Sequence, residues 1–231
     1  FFQTRQEASV PFDIFAATFY LLSRYEEYLP HLRDNHERYP AEDSLAFKHQ
    51  FLHKPLIDIW AYKFKEVLKE KYPSGKLKKR EFKFISTIDV DIAYCFKHKG
   101  LVRTVAGYFR DLSKLRLFDL WYRSLVILGF KQDPFDTFDD LISLQKQYNI
   151  KTIFFFSVGG YTTFDKNTSS RNVSYQSLIK SVADYAEVGL HPSYFTPKDE
   201  SKLQKEKLRL ESIVNRPIEK SRRHYLRLDL P

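Results

Sequence analysis

The sequence predicts an α/β protein: a small helical region over residues 1–75, then strands alternating with helices over residues 76–231. Three observations predict this. In the first 70 or so residues, apolar side chains recur at helical spacing. Beyond residue 76, short β-branched and aromatic runs are each followed by a longer segment of helical pattern. The closely spaced turns of a hairpin-rich sandwich do not occur, so the strands are expected to be parallel and joined by helical crossovers.

The elements follow in order. Phe12, Phe15, Phe19 and Leu22 fall on one helical face, with Asp13 where a carboxylate suits a helix N-terminus, and Pro30 ends the segment. Residues 32–43 read as a polar loop. A second helix follows Pro55, with Leu56, Trp60, Phe64 and Val67 on one face and lysines in its last turn. Tyr72-Pro73-Ser74-Gly75 and the basic run over residues 76–80 mark the boundary between the two regions. Residues 82–88 form a strand pattern ending in acids, and helical material follows over residues 101–115. Asp133-Pro134 carries an N-cap and a first-position proline, so a helix is expected from there to Tyr148. Residues 151–158 read as a second strand, ended by Gly159-Gly160. Helices over 174–187 and 198–214 enclose a third strand over 188–194. A fourth strand is expected over 222–230.

Composition narrows the function classes. The chain has 231 residues, 43% of them hydrophobic, enough for a sizeable core. Its apolar runs are short, such as residues 153–156, far below the roughly 20 residues of a membrane helix. The single cysteine, Cys95, excludes an internal disulfide and points to a reducing, cytoplasmic location. The net charge of +9 is interleaved with acids, as in Lys63-Phe64-Lys65-Glu66. That pattern reads as a solvated surface rather than a nucleic-acid stripe. Neither phosphate-loop spacing occurs around Gly159-Gly160.

Chemistry-bearing residues gather near three predicted strand ends. In Thr87-Ile88-Asp89-Val90-Asp91, the two carboxylates are two residues apart and project to the same side of a strand. Carboxylates so close repel unless a cation lies between them, which suits one as metal ligand and the other as general base. The competing reading is a strand-end turn whose acids cap the next helix. His191, in Gly189-Leu190-His191-Pro192-Ser193-Tyr194, closes the third strand and is either a ligand or a structural imidazole. In Arg222-Arg223-His224-Tyr225-Leu226-Arg227, both strand faces are polar, as in an edge strand or a strand lining a polar site.

These three segments, in this order, resemble the polysaccharide deacetylase family, the NodB-homology or carbohydrate esterase family 4 type. Certain bacterial members that carry a helical N-terminal region are similar along nearly the whole chain. The resemblance implies a partial or distorted (β/α) barrel, truncated at its C-terminus. It implies Asp89 as catalytic base, Asp91 and His191 as ligands of a divalent metal, zinc, and Arg227 as the arginine that holds Asp89, with Pro231 behind it. The family's second histidine falls at Phe195, which cannot bind a metal; His224 on the neighbouring strand is the available substitute. The later motifs, including the histidine that acts as general acid, lie beyond the fourth predicted strand.

The function this implies is metal-dependent hydrolysis of a carbon–nitrogen bond, removing N-acetyl or related acyl groups from a carbohydrate. Phe195 keeps open a degenerate domain that binds carbohydrate or a partner without hydrolysis. A nucleic-acid-binding role rests on net charge alone and ranks third. The expected partner is an N-acetylated sugar or polysaccharide, with no nucleic acid and no membrane span.

Overall fold

Asp13 caps the first helix as its position predicts, its carboxylate accepting hydrogen bonds from the N–H groups of Phe15 and Ala16. The helix it starts, α1 (Ile14–Leu22), is the first element of a computed structural model in which residues 8–78 and 80–227 are described. The chain divides into two units, one holding the residues up to Phe82 and the other Lys83–Arg227.

The first unit is helical. A short α2 (Leu45–Lys48) precedes α3 (Leu56–Lys71). Phe12 meets Trp60 edge-on at 5.2 Å, and Phe15 meets Phe64 at 5.3 Å, so aromatic edges join α1 to α3. The side chains that α1 buries are Ile14 and Ala17; Phe15, Phe19 and Leu22 remain largely exposed. On α3, Leu56, Trp60, Phe64 and Val67 are half-buried on one face.

The second unit is built on three parallel strands, β1 (Ile85–Val90), β2 (Lys151–Phe156) and β3 (Glu187–Leu190), in the order β1-β2-β3. Parallel pairing requires crossovers. The first uses α4 (Leu101–Ser113), α5 (Leu117–Ile127) and α6 (Phe138–Gln147), and the second uses α7 (Val173–Ala183). The last helix, α8 (Glu200–Val214), follows β3. Phe154 and Phe156 alternate into a core formed with Phe138, Tyr175, Ile179 and Leu210. Both rings are fully buried, each stabilising the fold by about 1.5–3 kcal/mol.

Three expectations need correction. The sheet is open, so the second unit is not a (β/α) barrel of the NodB type. The strand expected over 222–230 contracts to a single bridge, Leu190 opposite Ser221, framed by hydrogen bonds from Leu190 N to Lys220 O and from Arg222 N to Leu190 O. The chain then turns through the short 3-10 segment His224–Leu226, where Tyr225 and Leu226 adopt φ of 59° and 52°. Side-chain hydrogen bonds of His224 and Arg227 hold this left-handed turn against its backbone cost. The end of the expected strand, residues 228–230, and Pro231 lie outside the described residues. The third correction concerns Asp133-Pro134, which does not open a helix. Asp133 accepts the N–H groups of Cys95, Phe96 and Lys97, pinning the loop after β1, and α6 begins only at Phe138.

Candidate metal centre

All three strands point their C-terminal ends toward one edge, the side on which open parallel sheets gather their ligands. Asp89 lies in the last turn of pleat of β1 and Asp91 just beyond it, with buried Val90 between them facing the core. The two carboxylates therefore share the solvent-accessible side, as their spacing predicts. His191 leaves β3 with its N–H still donating to Phe156 O at 2.9 Å, which carries the sheet ladder one residue further and fixes the position of the ring.

The ring of His191 is 2% exposed, and neither nitrogen has a hydrogen-bond partner. Nε2 lies 3.0 Å from Asp91 Oδ1, and Nδ1 lies 4.0 Å from Asp89 Oδ1, but neither approach is aligned as a hydrogen bond. Burying an imidazole without partners is costly, and such a group calls for an explanation. His224 supplies one. Its Nε2 is 3.6 Å from the same Asp91 oxygen, and the two imidazole rings are 5.0 Å apart.

Asp91, His191 and His224 thus each bring one ligand atom into a group spanning less than 4.8 Å, a cluster that could hold a metal ion. Donors about 2.0–2.2 Å from a tetrahedral ion lie roughly 3.3 Å apart, and the separations of 3.0 and 3.6 Å bracket that value. Two imidazoles converging on one carboxylate are a donor set that such an ion can use.

A carboxylate behind the cluster orients it. Asp165, buried in the loop after β2, lies 3.1 Å from His224 Nδ1. It also accepts the Thr162 hydroxyl at 2.7 Å and the Tyr194 N–H at 2.9 Å. With Nδ1 donating to Asp165, His224 presents the lone pair of Nε2 toward Asp91. Electrostatics follow the same geometry. The His191 imidazole beside Asp91 holds its carboxyl below the usual range, against the upward push of burial. Burial pushes the Asp165 carboxyl up, but His224, Thr162 and the Tyr194 N–H prevail and lower it. Burial lowers His224, yet the hydrogen bond to Asp165 and the charge of Asp91 outweigh it, so His224 binds a proton more tightly than a free imidazole.

The expected site residues meet this geometry unevenly. Asp89, Asp91 and His191 come together. Arg227 is buried elsewhere: its Nη1 donates to Tyr194 O at 2.9 Å and its guanidinium lies 4.3 Å from the Tyr194 ring centre. The guanidinium beside Asp89 is that of Arg222, with Nε 3.4 Å from Oδ2 and Nη1 donating to Thr87 Oγ1 at 2.8 Å. Phe195, at the position of the missing histidine, packs on Phe164 and Tyr194. Asp165 and Arg222 are the positions beside the cluster that motif spacing missed. Asp165 lies in an irregular loop, 59 residues from its histidine, with no pattern to mark it.

Comparison with protein-family models matches residues 1–73 to a family of unknown function (DUF7033). No curated protein and no solved structure matches the chain. The family match ends before β1 and includes no member of the metal cluster; among the described residues no helix is long and apolar enough to cross a membrane.

Proposed function

We propose that the protein is a metal-dependent hydrolase that removes an acyl group, N-acetyl or a close relative, from a carbohydrate. One observation carries this reading: the buried, unpartnered His191 imidazole converging with His224 on Asp91. An open three-stranded sheet is compatible with many activities, so the cluster and not the fold supports this reading.

Two imidazoles and one carboxylate suit zinc, which when bound would polarise the acyl carbonyl and acidify a water. The chain supplies the remaining steps. Asp89 is the base that takes a proton from the attacking water. Arg222, whose Nε lies 3.4 Å from Oδ2, orients that carboxylate. As the carbon–nitrogen bond breaks, acetate leaves and the amine nitrogen receives the proton held on Asp89. Phe195 is 47% exposed beside Tyr194, and it offers a sugar ring an apolar face next to the turn that carries His224.

The test measures metal content and acetate release together. Wild-type protein should bind zinc near one equivalent and release acetate from an N-acetylated chito-oligosaccharide. Asp91→Ala should lose the metal. Asp89→Asn should keep it and lose turnover by a factor of 10² or more, in the range of ~10²–10⁴ for removal of a general base. Equal zinc content in wild type and Asp91→Ala would refute the centre. The aromatic group around Tyr194 also suits binding without hydrolysis, and zinc binding without acetate release would favour that second reading.

A further inference from the structure

Beyond the end of β2 lies a cleft of about 300 Å³, at the lower end of the size range of small-ligand sites. Arg103 from α4, Arg171 from the β2–α7 loop and Arg209 from α8 converge on it. No carboxylate lines it, and among the described residues none pairs with any of the three guanidinium groups. Backbone carbonyls position two of them instead. Arg103 donates from Nε to Lys99 O at 2.8 Å and from Nη1 to Asn167 O at 3.2 Å, while Arg209 donates from Nη1 to Val158 O at 2.7 Å. These bonds fix the side chains without neutralising them, and each guanidinium keeps N–H groups to spare.

Gly160 sharpens the reading. Its φ is not in the left-handed region, and a Cβ built there meets nothing within 4 Å. Neither backbone geometry nor packing asks for glycine, and the main chain at Gly160 is open to the cleft it lines. Ser169 and Ser170 add hydroxyls to the lining. Tyr161 stands 57% exposed at the rim, with Arg103 4.8 Å and Lys166 4.7 Å from its ring centre.

We propose that this cleft binds the phosphate group of a phosphorylated sugar. Three guanidinium groups without a counter-ion match a dianion better than a single carboxylate, and guanidinium forks suit phosphate oxygens. The concave shape suits a small ligand rather than a nucleic-acid backbone. The same loop, residues 159–171, carries Thr162 and Asp165 behind His224 at one end and Arg171 at the other. That the phosphate belongs to a sugar rests on the deacylase reading; that the cleft holds phosphate does not.

The experiment is calorimetric titration of the full metal-free chain at low ionic strength with inorganic phosphate, N-acetylglucosamine 6-phosphate and N-acetylglucosamine. Both phosphates should bind at millimolar concentration or better and compete with each other, and the sugar phosphate should bind more tightly than phosphate alone. N-acetylglucosamine should not displace phosphate. Arg171 makes no side-chain bond that the fold depends on, so Arg171→Gln is the clean variant. It should weaken phosphate binding about tenfold, the effect of one charged hydrogen bond of about 1.4 kcal/mol, and Arg171→Gln with Arg209→Gln should weaken it further. Asp91→Ala should leave phosphate binding intact, so a failed metal centre and a failed phosphate site give different results. No phosphate binding at ~10 mM, or binding unchanged in the double variant, would overturn the proposal.

Discussion

Asp165 accepts from three groups at once: the Thr162 hydroxyl, the Tyr194 N–H and, through Nδ1, His224. An asparagine of the same shape would keep an acceptor oxygen but lose the negative charge, and its amide would oppose one of the donors. His224 would then lose both its orientation and the basicity that the carboxylate confers. Partners of this kind typically contribute 10–100-fold to metal affinity. Asp165→Asn should therefore weaken zinc binding by about that factor while far-ultraviolet circular dichroism stays that of wild type. Unchanged zinc affinity would mean that His224 is not a ligand. Arg222 and Arg227 make a parallel case. They lie five residues apart in the same polar segment, and alternation along a strand put Arg227 nearest the strand end. The segment turns instead at Tyr225, so Arg222 faces Asp89 and Arg227 is buried on Tyr194.

At the scale of elements, the loop after β1 depends on Asp133. Its carboxylate accepts four backbone N–H groups, those of Cys95, Phe96, Lys97 and Phe135. Burial pushes its pKa up, but these four donors prevail and lower it. A carboxylate with a depressed folded pKa contributes stability that is present above its unfolded value, about 3.9, and lost as pH falls through the folded value. Asp133→Ala should cost about 3 kcal/mol at pH 7, where charged hydrogen bonds contribute most, and the difference from wild type should shrink below about pH 4. Chemical denaturation across that range measures it; a difference independent of pH would assign the loss to packing. The same residue shows what local pattern can and cannot read. An aspartate before a proline has the signature of a helix start, but three of its four partners lie 36–38 residues away, and the long-range bonds won. Elements governed by their own periodicity, α3, α4, β1 and β2, were legible to within a few residues. The helix α5, in a run rich in exposed aromatics, and the fourth strand, replaced by a turn held by side-chain bonds, were not.

At the scale of the molecule, the cluster is assembled from the ends of β1 and β3 and from the turn after the bridge at Ser221, and its orienting carboxylate from the loop after β2. The acid pair and His191 were visible in sequence because strand ends mark themselves. The closed barrel expected around them was not needed: three parallel strands already bring those ends to one edge. A site gathered from segments so far apart exists only in the folded unit, so zinc should bind the folded state and scarcely the unfolded one. Zinc at 100 times its dissociation constant would then add about 2.7 kcal/mol, or roughly 5–10 °C in the melting temperature of this unit. His191→Leu separates this from a structural role of the imidazole. It removes two polar atoms without hydrogen-bond partners from a buried position and fills the space with apolar atoms. In chelator the variant should melt at or above the wild-type temperature, because a buried polar group without partners costs about 1–3 kcal/mol. On adding zinc, wild type should gain its several degrees and the variant nothing. A variant that melts well below wild type in chelator would make His191 a packing residue, and an equal gain with zinc would place the metal elsewhere.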